Sequence, residues 1–167
     1  MTCKKTIRHL LVIVAMLGSA ASLAQDSGSS AIENEQLANV RALLQAGREE
    51  IIREDLRMSD EESAGFWPVY EEYRAEIMVV RDRQATMVAD FLKTYRDGAL
   101  SNEYAEVLIK DNFDIKGDLL RIQEKFVRKF RKVLPALKVA RFYQLENKMD
   151  AEIDAQLALF IPLVDGM

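Results

Sequence analysis

Apolar residues along this chain recur at helical spacing almost throughout, and strict apolar–polar alternation is absent. From Ile32 to Leu56, the residues Leu37, Val40, Leu43, Leu44, Ile51, Ile52 and Leu56 return at intervals of three, four and seven or eight. A period of about 3.6 residues puts them on one stripe of an α-helix. Glu33, Glu35, Arg41, Arg48, Glu49 and Arg53 fall mostly off that stripe. A second helix is expected to begin at Ser59. Ser59-Asp60-Glu61-Glu62 has the form of a capping box, with Met58 in the place of a hydrophobic staple. Pro68 lies about two turns in, which predicts a kink or brief break near Gly65–Trp67. Tyr70, Tyr73, Ile77, Val80, Met87, Val88, Phe91 and Tyr95 continue the stripe until Asp97-Gly98.

Ser101 or Asn102 can cap a third helix. Its apolar side runs through Tyr104, Val107, Leu108, Ile115, Leu119, Ile122, Phe126, Phe130 and Val133, and Pro135 is expected to stop it. A fourth helix takes Leu137, Ala140, Leu145, Met149, Ile153, Leu157 and Phe160 before Pro162. The pattern predicts an all-α fold of about four helices, with one helical domain over residues 32–164. A helix of about 35 residues reaches about 50 Å, so long antiparallel helices with short connections would form an extended hairpin, a cradle or a thin bundle. The apolar stripes are broad for so thin a shape, and part of each is expected to face a second copy in a homodimer. A closed four-helix monomer is the other arrangement.

The first residues follow a different pattern. Lys4, Lys5 and Arg8 form a basic head, an apolar run follows from Leu10 to Leu17, and Ser22-Leu23-Ala24 supplies small side chains. This order describes a secretory signal peptide over residues 1–24, removed after Ala24. The stretch from Leu10 to Ala24 is shorter than the roughly 20 residues that span a bilayer, so a lasting anchor is the weaker reading and no stable membrane span is expected. Residues 25–31, beginning QDSGSS, read as a flexible mature N-terminus.

Removal of that leader empties the chain of its most reactive side chains. The one Cys is Cys3 and the one His is His9. Cys3 precedes the apolar run, so it is not a lipid-bearing cysteine at the cleavage site. The remainder can make no disulfide and must rely on packing. Cys–His and Ser–His–Asp arrangements, zinc sites built on Cys or His, and histidine as a general base are all excluded. Carboxylates, Lys and Tyr remain. The 27 acidic residues are spread over helix faces with no pocket-forming sequence around them, so no catalytic residue, metal or cofactor is expected. Asn112–Gly117 has a faint likeness to a calcium loop, but Lys116 takes a ligand position and Gln123 replaces the closing Glu.

Charge sharpens the picture. Against a net charge of −4, Arg121, Lys125, Arg128, Lys129, Arg131, Lys132, Lys138 and Arg141 form a local basic run, interleaved with Phe126, Phe130, Phe142 and Tyr143. This is read as a positively charged, aromatic-rimmed surface that captures acidic, unfolded segments by steering and weak apolar contact. The plainer reading is a solvated face with cations near a helix C-terminus, as the helix dipole favours. The acidic balance opposes a nucleic-acid partner. Phe66-Trp67-Pro68-Val69-Tyr70 reads as core around the kink, or else as a client groove. Met58, Met78, Met87 and Met149 would make either surface adaptable. Ala155 to Val164 is too short to span a bilayer and is expected to dock along the bundle.

Two stretches carry a family resemblance. One is Leu56-Arg57-Met58-Ser59-Asp60-Glu61-Glu62, followed by Phe66-Trp67-Pro68-Val69-Tyr70. The other is Val133-Leu134-Pro135-Ala136-Leu137-Lys138, followed by Arg141-Phe142-Tyr143-Gln144-Leu145-Glu146-Asn147-Lys148. They resemble the periplasmic stress proteins of the Spy/CpxP type, whose repeated mark is Leu-Thr-x-x-Gln. Met58, Ser59 and Glu62 stand for Leu, Thr and Gln in the first copy. In the second, Leu134 fits, Pro135 replaces the hydroxyl residue and Lys138 takes the Gln position. The resemblance implies a periplasmic helical cradle that dimerises antiparallel and binds unfolded or misfolded proteins without ATP. Other members dampen the sensor kinase of an envelope-stress system. A zinc-binding branch is disfavoured by the missing His and Cys.

Overall fold

A computed structural model of the chain describes residues 45–164. These residues form four helices and no strand: α1 (residues 45–56), α2 (Asp60–Arg96), α3 (Asn102–Phe130) and α4 (Ala136–Ala158). The fold is all-α, as the apolar spacing predicts. The leader, residues 25–31 and the first part of the expected first helix lie outside the described residues.

Local chemistry sets the ends of α2. Glu62 donates its backbone N–H to the Ser59 hydroxyl at 3.2 Å, and Ser59 donates its own to the Glu62 carboxylate at 2.8 Å. This reciprocal pair is the capping box, and an N-cap hydroxyl is worth about 1 kcal/mol. At the far end the Asp97 N–H donates to the Lys93 carbonyl at 3.0 Å. Gly98 then takes φ +63°, a left-handed turn that costs glycine little. The break expected at Pro68 does not occur, and α2 runs unbroken through it. The ring is exposed, while Phe66 and Tyr70 on either side are fully buried and hold the turn in place.

α3 starts where Ser101 accepts the Tyr104 N–H at 3.2 Å. It ends at Phe130, earlier than Pro135, in a tightened turn: Lys132 donates to the Lys129 carbonyl and Val133 to that of Phe130, both at 3.1 Å. A Cβ on Gly65 would lie 3.0 Å from Val133 Cγ1, so glycine lets this turn sit against the first turns of α2. Pro135 then opens α4, its carbonyl accepting the Lys138 N–H at 2.9 Å. The inner stripe of α4 differs in part from the expected one. Leu137 is 86% exposed and Ala140 is exposed, whereas Val139, Phe142, Leu145, Glu146 and Met149 are buried. A carboxylate sits inside the buried face, and a purely apolar pattern passes over it.

The described residues divide into two compact units, one of residues 45–57 and 141–156, the other of residues 58–140 and 157–164. In the first, Ile51, Ile52, Leu56, Phe142, Leu145 and Met149 are buried. The Arg48 guanidinium, itself buried, pairs with Glu146 at 3.3 Å and also with Asp150. Arg141 Nε donates to Asp55 at 2.7 Å. Burial, helped by the charge of Glu146, pushes the Tyr143 phenol well above its ordinary pKa.

The second unit has an aromatic core. Phe66, Tyr70, Tyr73, Phe126 and Phe130 are buried. Ring centroids lie 5.3 Å apart for Phe66–Phe130, 5.5 Å for Tyr73–Phe126 and 5.8 Å for Tyr73–Phe130, and such pairs add about 0.5–1.5 kcal/mol each beyond area burial. Ion pairs flank this seam: Glu72–Lys129 and Glu76–Lys125 at 2.6 Å, and Arg83–Asp118 at 2.7 Å. Numbers rise along α2 as they fall along α3, so the two helices run antiparallel over this stretch.

Candidate functional site

The basic run separates into two sets. Arg121, Lys125 and Lys129 have carboxylate partners: Asp118, Glu76 and Glu72. Hydrogen bonds from Lys129 hold the Glu72 carboxyl below its ordinary pKa, and bonds from Arg83 and Arg121 do the same for Asp118. Arg141 pairs with Asp55. Lys125, Lys129 and Arg141 tie helices together, whereas Arg121 and Asp118 lie one turn apart on α3. The second set is Arg128, Arg131 and Lys132, all exposed, which make no ion pair among the described residues. They surround the end of α3, with exposed Leu137 just across the turn.

The aromatic rim expected around the patch is not there. Phe126 and Phe130 are fully buried in the α2–α3 seam, and Phe142 is buried in the first unit. The Lys129 and Lys125 ammonium groups stand 4.5 and 5.3 Å from the Phe126 ring centroid, over the core they cover. Neighbours in sequence point about 100° apart on a helix, so interleaved cations and phenylalanines share a segment without sharing a face. Asn112–Gly117 is helical within α3, which leaves no cation-binding loop.

The motif residues act as helix-start chemistry. Met58 is half-buried before the cap and Leu134 is buried in the turn before α4. Lys138 donates to Glu62 at 2.5 Å, on the same oxygen that takes the Ser59 N–H. The last positions of the two marks therefore meet in one ion pair. That bond from Lys138, then the one from Ser59, lowers the Glu62 pKa. A depressed carboxyl contributes stability above its ordinary pKa and loses it as pH falls through the lowered value. Acidification below about pH 4 is therefore expected to lower the melting temperature more in the wild type than in Glu62→Gln, which keeps an acceptor but has no charge to lose. Equal pH slopes in thermal melts of the two proteins would contradict this role.

The structure also exposes apolar surface that the inner stripes do not account for. On α3, Ile109, Phe113 and Leu120 are 54, 66 and 56% exposed. The expected docking of Ala155–Val164 is likewise not seen. α4 ends at Ala158 and a turn follows, with Phe160 N–H on the Leu157 carbonyl at 3.0 Å. Leu159, Phe160 and Leu163 are 76, 64 and 85% exposed. A break at Pro162 and a helix that ends before the segment does leave no continuous face to lay down. Among the described residues, no helix is long and apolar enough to cross a membrane. No protein-family model, curated protein or solved structure matches this chain.

Proposed function

We propose that this is an exported, ATP-independent chaperone-like protein that binds unfolded or misfolded envelope proteins in the periplasm and limits their aggregation. One observation carries the reading: the last described segment, Leu157–Val164, holds several large apolar side chains in the open rather than in a core. Exposed apolar clusters of this kind mark binding surfaces. The Arg128, Arg131 and Lys132 cluster supports it by giving acidic, unfolded chains a long-range attraction that needs no specific fit. Capture is then loose and reversible: charge steers, weak apolar contact holds, and release needs no nucleotide. The leader at residues 1–24 and the helix-start marks fit the same compartment and the same family resemblance.

Light scattering of a denatured model protein on dilution tests the proposal. The mature chain in several-fold molar excess is expected to suppress the signal, and no suppression at that excess would overturn it. The same cationic cluster also suits a second reading, a regulator that docks on the acidic periplasmic domain of a sensor kinase. Affinity capture from an envelope extract separates the two. Many sub-stoichiometric clients support the chaperone, and one stoichiometric partner supports the regulator.

A further inference from the structure

Burial is spread unevenly along the α2–α3 hairpin. On α2, Phe66, Tyr70, Tyr73, Ile77 and Val80 are buried, and beyond them, towards the turn at residues 97–101, only Phe91 is. On α3 the buried residues are Ile115, Phe126 and Phe130, and none precedes Ile115. The stripe breaks at Gln84. Inner positions of α2 return every three or four residues, and Gln84 takes the one that follows Val80. Its side-chain oxygen accepts from Arg81 at 2.7 Å. On α3 the positions one turn before Ile115 carry Asp111 and Asn112, both half-buried.

Gly117 stands at the same level. The ion pairs Glu72–Lys129, Glu76–Lys125 and Arg83–Asp118 keep one antiparallel register, and in it Gln84 is level with Gly117. Glycine weakens a helix interior. Neither a turn nor a close approach calls for it here: its φ is not positive, and a Cβ would meet only the Arg121 guanidinium, at 3.4 Å or more. A polar side chain on the inner stripe of one helix therefore coincides with a weak point in the other.

We infer that the hairpin opens in two stages, with residues 84–117 parting as a unit while the aromatic half stays closed. Burial of apolar surface is the main force that holds two helices together in water, and a segment poor in it opens at a lower free energy than the whole domain. The far half has one buried ring, Phe91, against the five of Phe66, Tyr70, Tyr73, Phe126 and Phe130. The partly exposed Arg83–Asp118 pair at the boundary adds little. Opening uncovers Val88, Phe91 and Leu108 and adds them to Ile109 and Phe113, which are more than half exposed in the closed form. The far half is thus a reserve of apolar surface that the closed hairpin keeps covered. The inference stands apart from the chaperone reading and does not depend on it.

Native-state hydrogen exchange of the mature chain, followed by NMR at rising urea below the unfolding midpoint, tests the device. Amides of residues 85–116 are expected to exchange faster than those of residues 66–80 and 119–130, and with a weaker dependence on urea. Phe91→Ala should speed exchange in the far half by about ten-fold or more and leave the aromatic half unchanged. Gln84→Leu, which restores the apolar stripe, should slow the far half by about ten-fold. A single exchange isotherm for both halves, a Phe91→Ala variant that speeds both halves alike, or a Gln84→Leu variant with no slowing of the far half would each overturn the inference.

Discussion

Replacing Arg48 with Met is expected to destabilise the unit of residues 45–57 and 141–156 by about 3–5 kcal/mol, the range for removing one side of a buried ion pair. Arg48 is 3% exposed and Glu146 is fully buried. Loss of the guanidinium takes a cation away from the fully buried Glu146 carboxylate, and a buried charge deprived of its counter-ion is costly. The triple change Arg48→Met, Glu146→Leu, Asp150→Asn removes the charges together and should regain most of the loss, because well-packed apolar residues replace buried ion pairs at little net cost. Urea unfolding followed by circular dichroism reads both effects. A single variant within about 1 kcal/mol of wild type would show that the pair is solvated, contrary to its burial.

Phe130→Ala carries the second large effect, about 3–5 kcal/mol on the unit that contains α2 and α3. Phe130 is fully buried against Phe66 and Tyr73, so truncation opens a cavity among rings that cannot all collapse into it. Lys132→Ala, two residues away on an exposed side chain, is expected to shift stability by less than about 0.5 kcal/mol. The contrast also bears on function. Were Phe130 a client contact on an exposed rim, its truncation would leave stability unchanged and reduce binding alone.

How much of this was legible beforehand depended on whether one residue or a whole face had to be placed. The all-α class follows from apolar spacing, and the Ser59–Glu62 box and the Ser101 cap follow from side chains that satisfy backbone donors three residues away. These are local interactions, and local sequence contains them. Faces were harder. Interleaving with cations suggests a rim for Phe126 and Phe130, but on a helix such interleaving distributes residues around the axis and both are buried. Helical spacing puts Leu137 on the inner stripe of α4, but the buried face is built around Val139, Phe142 and the charged Glu146. The Arg48–Glu146 pair joins residues 98 apart in sequence, and no short window contains both.

On the proposed reading, client capture uses exposed apolar side chains at the end of the described chain, and the buried aromatics serve the core. The most direct measurement is aggregation suppression by the mature wild type beside a variant carrying Leu159→Ser, Phe160→Ser and Leu163→Ser, all at exposed sites and so expected to leave the thermal melt unchanged. The wild type is expected to suppress light scattering, and the triple variant to lose most of that activity at equal concentration. Suppression that persists undiminished in the variant would contradict it and move the client surface elsewhere on the molecule.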